Sequence, residues 1–168
     1  MQAIFNRRSI RKYEDRPVEK EKIEKLLRAA MQAPSAANQQ PWEFLVIEDK
    51  EVLNKLAQTS PYSKMVASSA VTFVLLSRKE GLLAPGCVPQ DMGAAAENLL
   101  LEAVELELGA VWLGIASIQD RMEYIKKLFK LPENIEPFAL IPVGYPDGQE
   151  NKFVDRFDET RVHYGTWK

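Results

Sequence analysis

Apolar residues recur with a helical period in two long segments of the chain. After Pro17, apolar side chains three or four positions apart from Glu19 to Met31 predict an amphipathic helix that faces a core. Gln90 to Leu108 is apolar around most of its circumference, so we expect this helix at the centre of the core or at a subunit interface. Two shorter segments, Glu51–Gln58 and Tyr124–Phe129, predict further helices.

Short apolar runs between the helical segments predict β-strands. Two of them, Phe44–Ile47 and Val71–Leu76, are rich in β-branched and aromatic residues and are bounded by turn or charge signals. The predicted strands are Phe44–Ile47, Val71–Leu76, Gly109–Ile115 and Pro137–Val143. Because helices alternate with these strands and no linker or repeat interrupts them, we predict one domain over residues 1–168, with an α+β or three-layer arrangement of about four strands.

The tail from Asp147 to Lys168 shows neither a helical nor a strand period. It nevertheless carries four aromatic residues, which are Phe153, Phe157, Tyr164 and Trp167. A structureless stretch of this length is uncommon in a compact domain unless it is functional or docked elsewhere. Exposed large apolar groups are also a liability, so we expect the tail to dock along a partner subunit.

Composition and charge narrow the class of protein. With 46% hydrophobic and 27% charged residues, the 168-residue chain is typical of a soluble globular domain with a buried core. Its apolar runs are too short for a membrane span, and residues 1–8 lack the order of a secretory signal, so a cytoplasmic location is expected. A formal net charge of -2 argues against a general nucleic-acid or anionic-membrane binder.

The inventory of reactive side chains excludes several kinds of site. The single cysteine, Cys87, cannot form an internal disulfide, and the single histidine, His163, leaves no His/Cys set for zinc. No GxSxG, GxGxxG or GxxxxGK[ST] motif occurs, so neither a serine hydrolase nor a common nucleotide-binding loop is predicted. If the chain is an enzyme, we expect a bound organic cofactor to carry the chemistry.

Three segments carry candidate chemistry, and each also has a plainer interpretation. Arg7–Lys12 holds four cations and a hydroxyl, which suit a phosphate, a nucleic-acid contact or only a solvated basic patch. Pro34–Phe44 groups hydroxyl, amide and proline residues around an aromatic; it could read the edge of a planar ligand or form an ordinary turn. Gly109–Gly114 is either a buried strand ending in a turn glycine or a place where Gly114 admits a flat ring.

Taken in this order, these segments resemble the nitroreductase family of flavin enzymes. The resemblance covers nearly the whole chain, and the stretches that carry it are Arg7-Arg8-Ser9-Ile10-Arg11, Pro34–Trp42, Gly93–Leu101 with Glu97-Asn98-Leu99-Leu100-Leu101, Gly109–Ile115 and Pro142-Val143-Gly144-Tyr145-Pro146. It implies an α+β, three-layer α/β/α nitroreductase-like fold with a mostly antiparallel central sheet and an exchanged C-terminal segment. It further implies a homodimer with two FMN molecules at the subunit interface.

The resemblance also assigns cofactor-binding residues by position. Those implied to hold the FMN phosphate, the ribityl chain and part of the pyrimidine edge are Arg7, Arg8, Ser9 and Arg11. Those implied to approach the flavin from the other subunit are Pro34, Ser35, Ala36 and Asn38, with Gln40 supporting the loop. The residues implied to lie beside the isoalloxazine are Leu113 and Gly114. A second phosphate contact is assigned to Arg156 in preference to Arg161.

The implied mechanism is a ping-pong hydride transfer that needs no catalytic side chain and no metal. NAD(P)H, a transient electron donor, would reduce FMN and leave before a small acceptor such as a nitroaromatic or quinone is reduced. Many relatives carry a longer insertion over the active site, whereas here only Ser77 to Val88 separates the second strand from the long helix. The pocket is therefore expected to be more open or closed by other means. An alternative is an FMN-binding carrier or sensor without turnover.

Overall fold

Five helices and five strands follow one another along residues 2–167, which are the part of the chain that the computed structural model describes. The helices are α1 (Gln2–Asn6), α2 (Lys20–Met31), α3 (Lys50–Leu56), α4 (Val88–Glu105) and α5 (Gln119–Phe129). The strands are β1 (Trp42–Ile47), β2 (Val71–Arg78), β3 (Gly109–Ala110), β4 (Leu113–Gly114) and β5 (Ile135–Gly144). Short 3-10 turns follow at four places, which are Ala36–Asn38, Lys64–Ser68, Pro85–Cys87 and Glu159–Arg161.

The five strands form one sheet with the order β1-β2-β5-β3, and β4 also pairs with β5. Each of these strand pairs is antiparallel. The register sets Phe44 opposite Leu75 between β1 and β2, and Phe73 opposite Ile141 between β2 and β5. As a result β3 and β4 form one edge of the sheet. This edge carries Gly114, the glycine that the sequence predicts to lie beside a flat ring.

Both faces of the sheet are covered by helices, because β2 and β5 are apolar on both sides. Phe73 and Leu75 belong to the core beneath α2 and α4. Val74 points the other way and packs with Leu53 of α3 and Ile125 of α5. Alternation of side chains along a strand explains this separation into two cores. The predicted α+β, three-layer α/β/α arrangement is confirmed.

The prediction of one continuous strand over Gly109–Ile115 is wrong. The segment forms two short strands, β3 and β4, so the sheet has five strands instead of about four. Ala110 pairs with Val143 and Leu113 with Leu140, which keeps a single register on both sides of a gap. That register places Pro142 across from the gap. Proline has no backbone N–H to donate, so the ladder is interrupted where the partner strand passes it.

The helices differ from their predicted bounds mainly at the ends. α4 ends at Glu105 instead of reaching Leu108, because the backbone turns into the left-handed region at Glu107, with φ of 61°. α5 begins five residues before the predicted Tyr124, and α1 was too short for its period to be recognised. No helix within residues 2–167 has both the length and the apolar character that a membrane span requires.

Gly109 is required by close packing between the N-terminal segment and the sheet edge. A Cβ placed there would lie 2.5 Å from Cγ2 of Ile10, which is itself buried. We expect Gly109→Ala to lower the free energy of unfolding by about 1–3 kcal/mol, the usual cost of overpacking a core. Urea unfolding measures this loss. Gly86→Ala is the matched control, because a Cβ there meets nothing within 4 Å; equal midpoints for the two variants would contradict the expectation.

Candidate functional site

The N-terminal basic segment lies along the edge of the sheet formed by β3. Ser9 forms a parallel bridge with Ala110, and the Ile10 amide donates to the Ala110 carbonyl at 3.0 Å. Tyr13 forms a second bridge with Pro146. Because Ile10 is buried while Ser9 is exposed, this pairing fixes which side chains of the segment face outward. It therefore holds the segment's cations beside β3 and β4.

Three of the predicted phosphate-binding cations lie together. Arg7, Arg8 and Arg156 line one surface cavity of about 280 Å³. The Arg8 side chain is fixed by donating from Nε to the Lys152 carbonyl at 2.7 Å and from Nη2 to the Phe5 carbonyl at 2.6 Å. Loss of hydration, followed by the positive charges of Arg156 and Arg7, lowers the pKa of Arg8. A bound anion would relieve this crowding of like charge.

The other two members of the N-terminal set line different cavities. Ser9 shares a cavity of about 470 Å³ with Arg8. Arg11 lines a cavity of about 390 Å³ together with the predicted isoalloxazine contacts Leu113 and Gly114. The amides of Arg11 and Lys12 both donate to the Gln149 side-chain oxygen, at 2.7 and 3.0 Å. The tail thereby fixes the backbone that presents Arg11.

The Arg11 cavity contains residues that sequence reasoning missed. The further residues that line it are Ser60, Tyr62, Met65, Trp112 and Arg121. Arg121 donates from Nη1 to the Gly114 carbonyl at 2.7 Å and so fixes the orientation of that peptide group. The segment 60–65 has only turn composition, and Arg121 lies in an ordinary helical pattern, so neither gave a signal in the sequence.

Packing within the chain does not require a glycine at position 114. A Cβ there would meet nothing within 4 Å, its φ is not positive, and the residue is exposed. Gly144 differs, because a Cβ there would lie 3.0 Å from the Tyr13 side chain. The fold therefore leaves open space over the Leu113–Gly114 backbone. A planar ring could approach this backbone closely, so the residues present fit a flavin.

The loop that follows α2 has an unusual backbone. Ala37, Asn38 and Gln40 all lie in the left-handed region, with φ of 51°, 53° and 44°. The Gln40 amide donates to Ser35 Oγ at 3.0 Å, and the Gln40 side chain donates to Asn38 Oδ1 at 3.2 Å. Left-handed backbone costs a non-glycine residue roughly 1–2 kcal/mol. Such strain persists where the surroundings impose it and is concentrated at functional sites.

Within one chain, the structure does not bring the loop and the N-terminal arginines into one site. None of the predicted loop residues, from Pro34 to Gln40, lines any of the three cavities described above. Asn38 is nevertheless exposed on the surface. Its predicted role, and that of each other predicted cofactor-binding residue, stays a prediction.

Comparison with known proteins gives the class. Residues 4–145 match the sequence model of the nitroreductase family. A Methanothermobacter thermautotrophicus protein, provisionally named NADH dehydrogenase/NAD(P)H nitroreductase, is 44% identical over 168 residues, covering 99% of this chain and 87% of that protein. The chain belongs to the nitroreductase family, as the resemblance predicted.

Solved structures agree with this assignment. The crystal structure of a Clostridium acetobutylicum protein, provisionally named NADH oxidase, matches with a TM-score of 0.97 and 55% identity over 98% of this chain and 99% of that one. An FMN-dependent nitroreductase from Clostridium difficile matches with a TM-score of 0.92 and 32% identity over 99% and 100%. A provisionally named nitroreductase from Desulfovibrio desulfuricans, crystallised in complex with FMN, matches with a TM-score of 0.83 and 32% identity over 99% and 96%.

Proposed function

We propose that this protein is an FMN-dependent oxidoreductase that uses NAD(P)H as its electron donor and reduces a small acceptor such as a nitroaromatic or quinone. The observation that carries the proposal is the open backbone at Leu113–Gly114, which lies in one cavity with the Arg11 guanidinium. Relatives with the same fold include one named as FMN-dependent and one crystallised with FMN, which supports the choice of cofactor.

The residues of this chain divide the work of holding the cofactor. Arg7, Arg8 and Arg156 would bind the phosphate through charge-assisted hydrogen bonds. Ser9 would add a hydroxyl contact at the exposed edge beside β3. When bound, FMN would supply the redox chemistry, accepting hydride from NAD(P)H and then reducing the acceptor in a ping-pong sequence.

The Arg11 cavity would place charge and shape where the flavin ring lies. Arg11 would lie at the pyrimidine edge, where a fixed positive charge stabilises negative charge that develops during electron transfer. The Leu113 side chain is buried, so the ring would rest on backbone and not on a mobile side chain. Arg121 would help to hold the Gly114–Ile115 peptide group in one orientation, since it bonds the Gly114 carbonyl while the Ile115 amide donates to the Phe138 carbonyl at 3.2 Å.

We infer a homodimer in which each site combines both chains. The four tail aromatics, Phe153, Phe157, Tyr164 and Trp167, are between 61% and 87% exposed in a single chain. Exposed apolar groups this large need cover, and a tail docked on a second copy would provide it. The same dimer would bring the Pro34–Gln40 loop of one chain to the arginines of the other, which one chain alone does not do.

The test of this function is to record an absorbance spectrum of the purified protein, add NADH or NADPH without oxygen, and then add a quinone. We expect a yellow protein that bleaches with the nicotinamide and regains colour with the quinone. Bound FMN that fails to turn over would instead favour the carrier or sensor alternative. A colourless protein that also takes up no added FMN would overturn the proposal.

A further inference from the structure

Asp91 is a buried carboxylate whose two hydrogen-bond partners both belong to the Pro34–Gln40 loop. It lies in the first turn of α4, and only 5% of its surface is exposed. Its Oδ1 accepts from the Ala36 amide at 2.9 Å, and its Oδ2 accepts from the Gln39 side chain at 2.6 Å. A buried charge is stable only when such bonds satisfy it, so the loop and the helix are strongly coupled at this point.

Gln39 extends this coupling to the segment around Ala84, between β2 and α4. Its side-chain amide donates to the Ala84 carbonyl at 3.0 Å, and its oxygen accepts from the Ala84 amide at 3.0 Å. Gln39 is buried as well. One junction therefore joins three parts of the chain, which are the loop, the segment around Ala84 and the start of α4.

Two of the three left-handed residues of the loop lie between the anchor points, and the third, Gln40, follows directly after them. Asp91 holds the loop at Ala36 and at Gln39. Between them lie Ala37 and Asn38, both left-handed. A relaxed loop would leave this region unless something imposed it, and the Asp91 bonds are placed to do so.

We propose that Asp91 is a positioning residue, which acts through Ala36 and Gln39 to hold the loop in the shape that contacts FMN across the subunit interface. The inference rests on the function proposed above and deepens it. Asp91 itself touches no cofactor. Its carboxylate keeps the exposed Asn38 facing the partner subunit. The Gln39 side chain holds the segment around Ala84 in a fixed position against the loop.

Asp91→Asn tests the proposal, because asparagine keeps the size but replaces one acceptor oxygen with an amide nitrogen, which must face either the Gln39 side-chain amide or the Ala36 amide. We expect the dissociation constant for FMN, measured by fluorescence titration of flavin-free protein, to rise about tenfold, as for a lost hydrogen bond to a charged group. Gln39→Met breaks the same contact from the loop side and is expected to give a similar rise; it serves if Asp91→Asn fails to fold. Thr72→Val, which alters a buried hydroxyl that bonds to Ser69 in another part of the chain, is the matched control and should leave the constant unchanged.

Rescue separates a positioning role from a merely structural one. Glycine adopts left-handed backbone without strain, so Ala37→Gly added to Asp91→Asn should recover most of the lost FMN affinity. Loss without rescue, an equal loss in Thr72→Val, or wild-type affinity in both Asp91→Asn and Gln39→Met would overturn the proposal. Failure of the wild-type protein to bind FMN would overturn the proposed function instead.

Discussion

Replacing Arg7 with alanine is expected to weaken FMN binding about 100-fold, which corresponds to about 2.8 kcal/mol and to the loss of charge-assisted bonds to a phosphate. The flavin-free protein should remain folded. Among the described residues, the Arg7 side chain has one ion pair, from Nε to Glu97 Oε1 at 3.6 Å; the Arg7 side chain is 20% exposed and the Glu97 side chain 48%. Ion pairs of this kind contribute little to folding.

Riboflavin, which lacks the phosphate, makes this prediction specific. Titrations of both flavins should show a large loss for FMN and almost none for riboflavin. Arg28→Ala is the matched control, because Arg28 is an exposed arginine of α2 that pairs with Glu24 at 2.6 Å. Unchanged FMN affinity in Arg7→Ala would show that the phosphate assignment is wrong, and equal losses for both flavins would place Arg7 elsewhere in the site.

Deleting the chain after Lys152 is expected to abolish both dimerisation and FMN retention. The deletion removes all four exposed tail aromatics and the cation Arg156, but keeps Gln149 and Asn151, which bond to the N-terminal segment. Within residues 153–167, which the structure describes, the deleted part contains no strand of the sheet and adds no residue to the two cores. The shortened chain should therefore still fold.

Light scattering and the flavin absorbance of the purified protein measure the two losses, and circular dichroism checks the fold. Arg156→Ala is the companion variant, since it keeps the aromatic residues of the tail. We expect this variant to remain a dimer while binding FMN more weakly. A truncated chain that still runs as an FMN-bound dimer would refute the docked tail.

Much of the fold could be predicted from the sequence because its signals are local. β2 is a continuous apolar run between turn residues, and α2 has a clean helical period after Pro17, so the sequence predicts both elements with small errors at their ends. The order of the basic segment, the polar loop and the Gly114 strand was enough to identify the family.

What the sequence did not reveal depends on partners distant in the chain. The break between β3 and β4 arises from Pro142 on the neighbouring strand, and nothing in the broken strand itself announces it. Asp91 looks like an ordinary residue of a helical first turn until its bonds to a loop 55 positions earlier are seen. Likewise, Tyr62 and Arg11 line one cavity only because the fold brings their distant segments together.

The pairing of Ser9 with Ala110 fixes the distance between the two ends of the proposed site along the sheet edge. Ala110 pairs with Val143 and Gly114 with Ala139, so the phosphate end and the ring end of the proposed site are separated by four residues along β5, about 13 Å. That separation is set by covalent geometry and not by flexible side chains. Inserting a single residue between Ala110 and Gly114 would change this separation and turn the following side chains to the opposite face. The contacts at the phosphate end and at the ring end therefore require the present spacing.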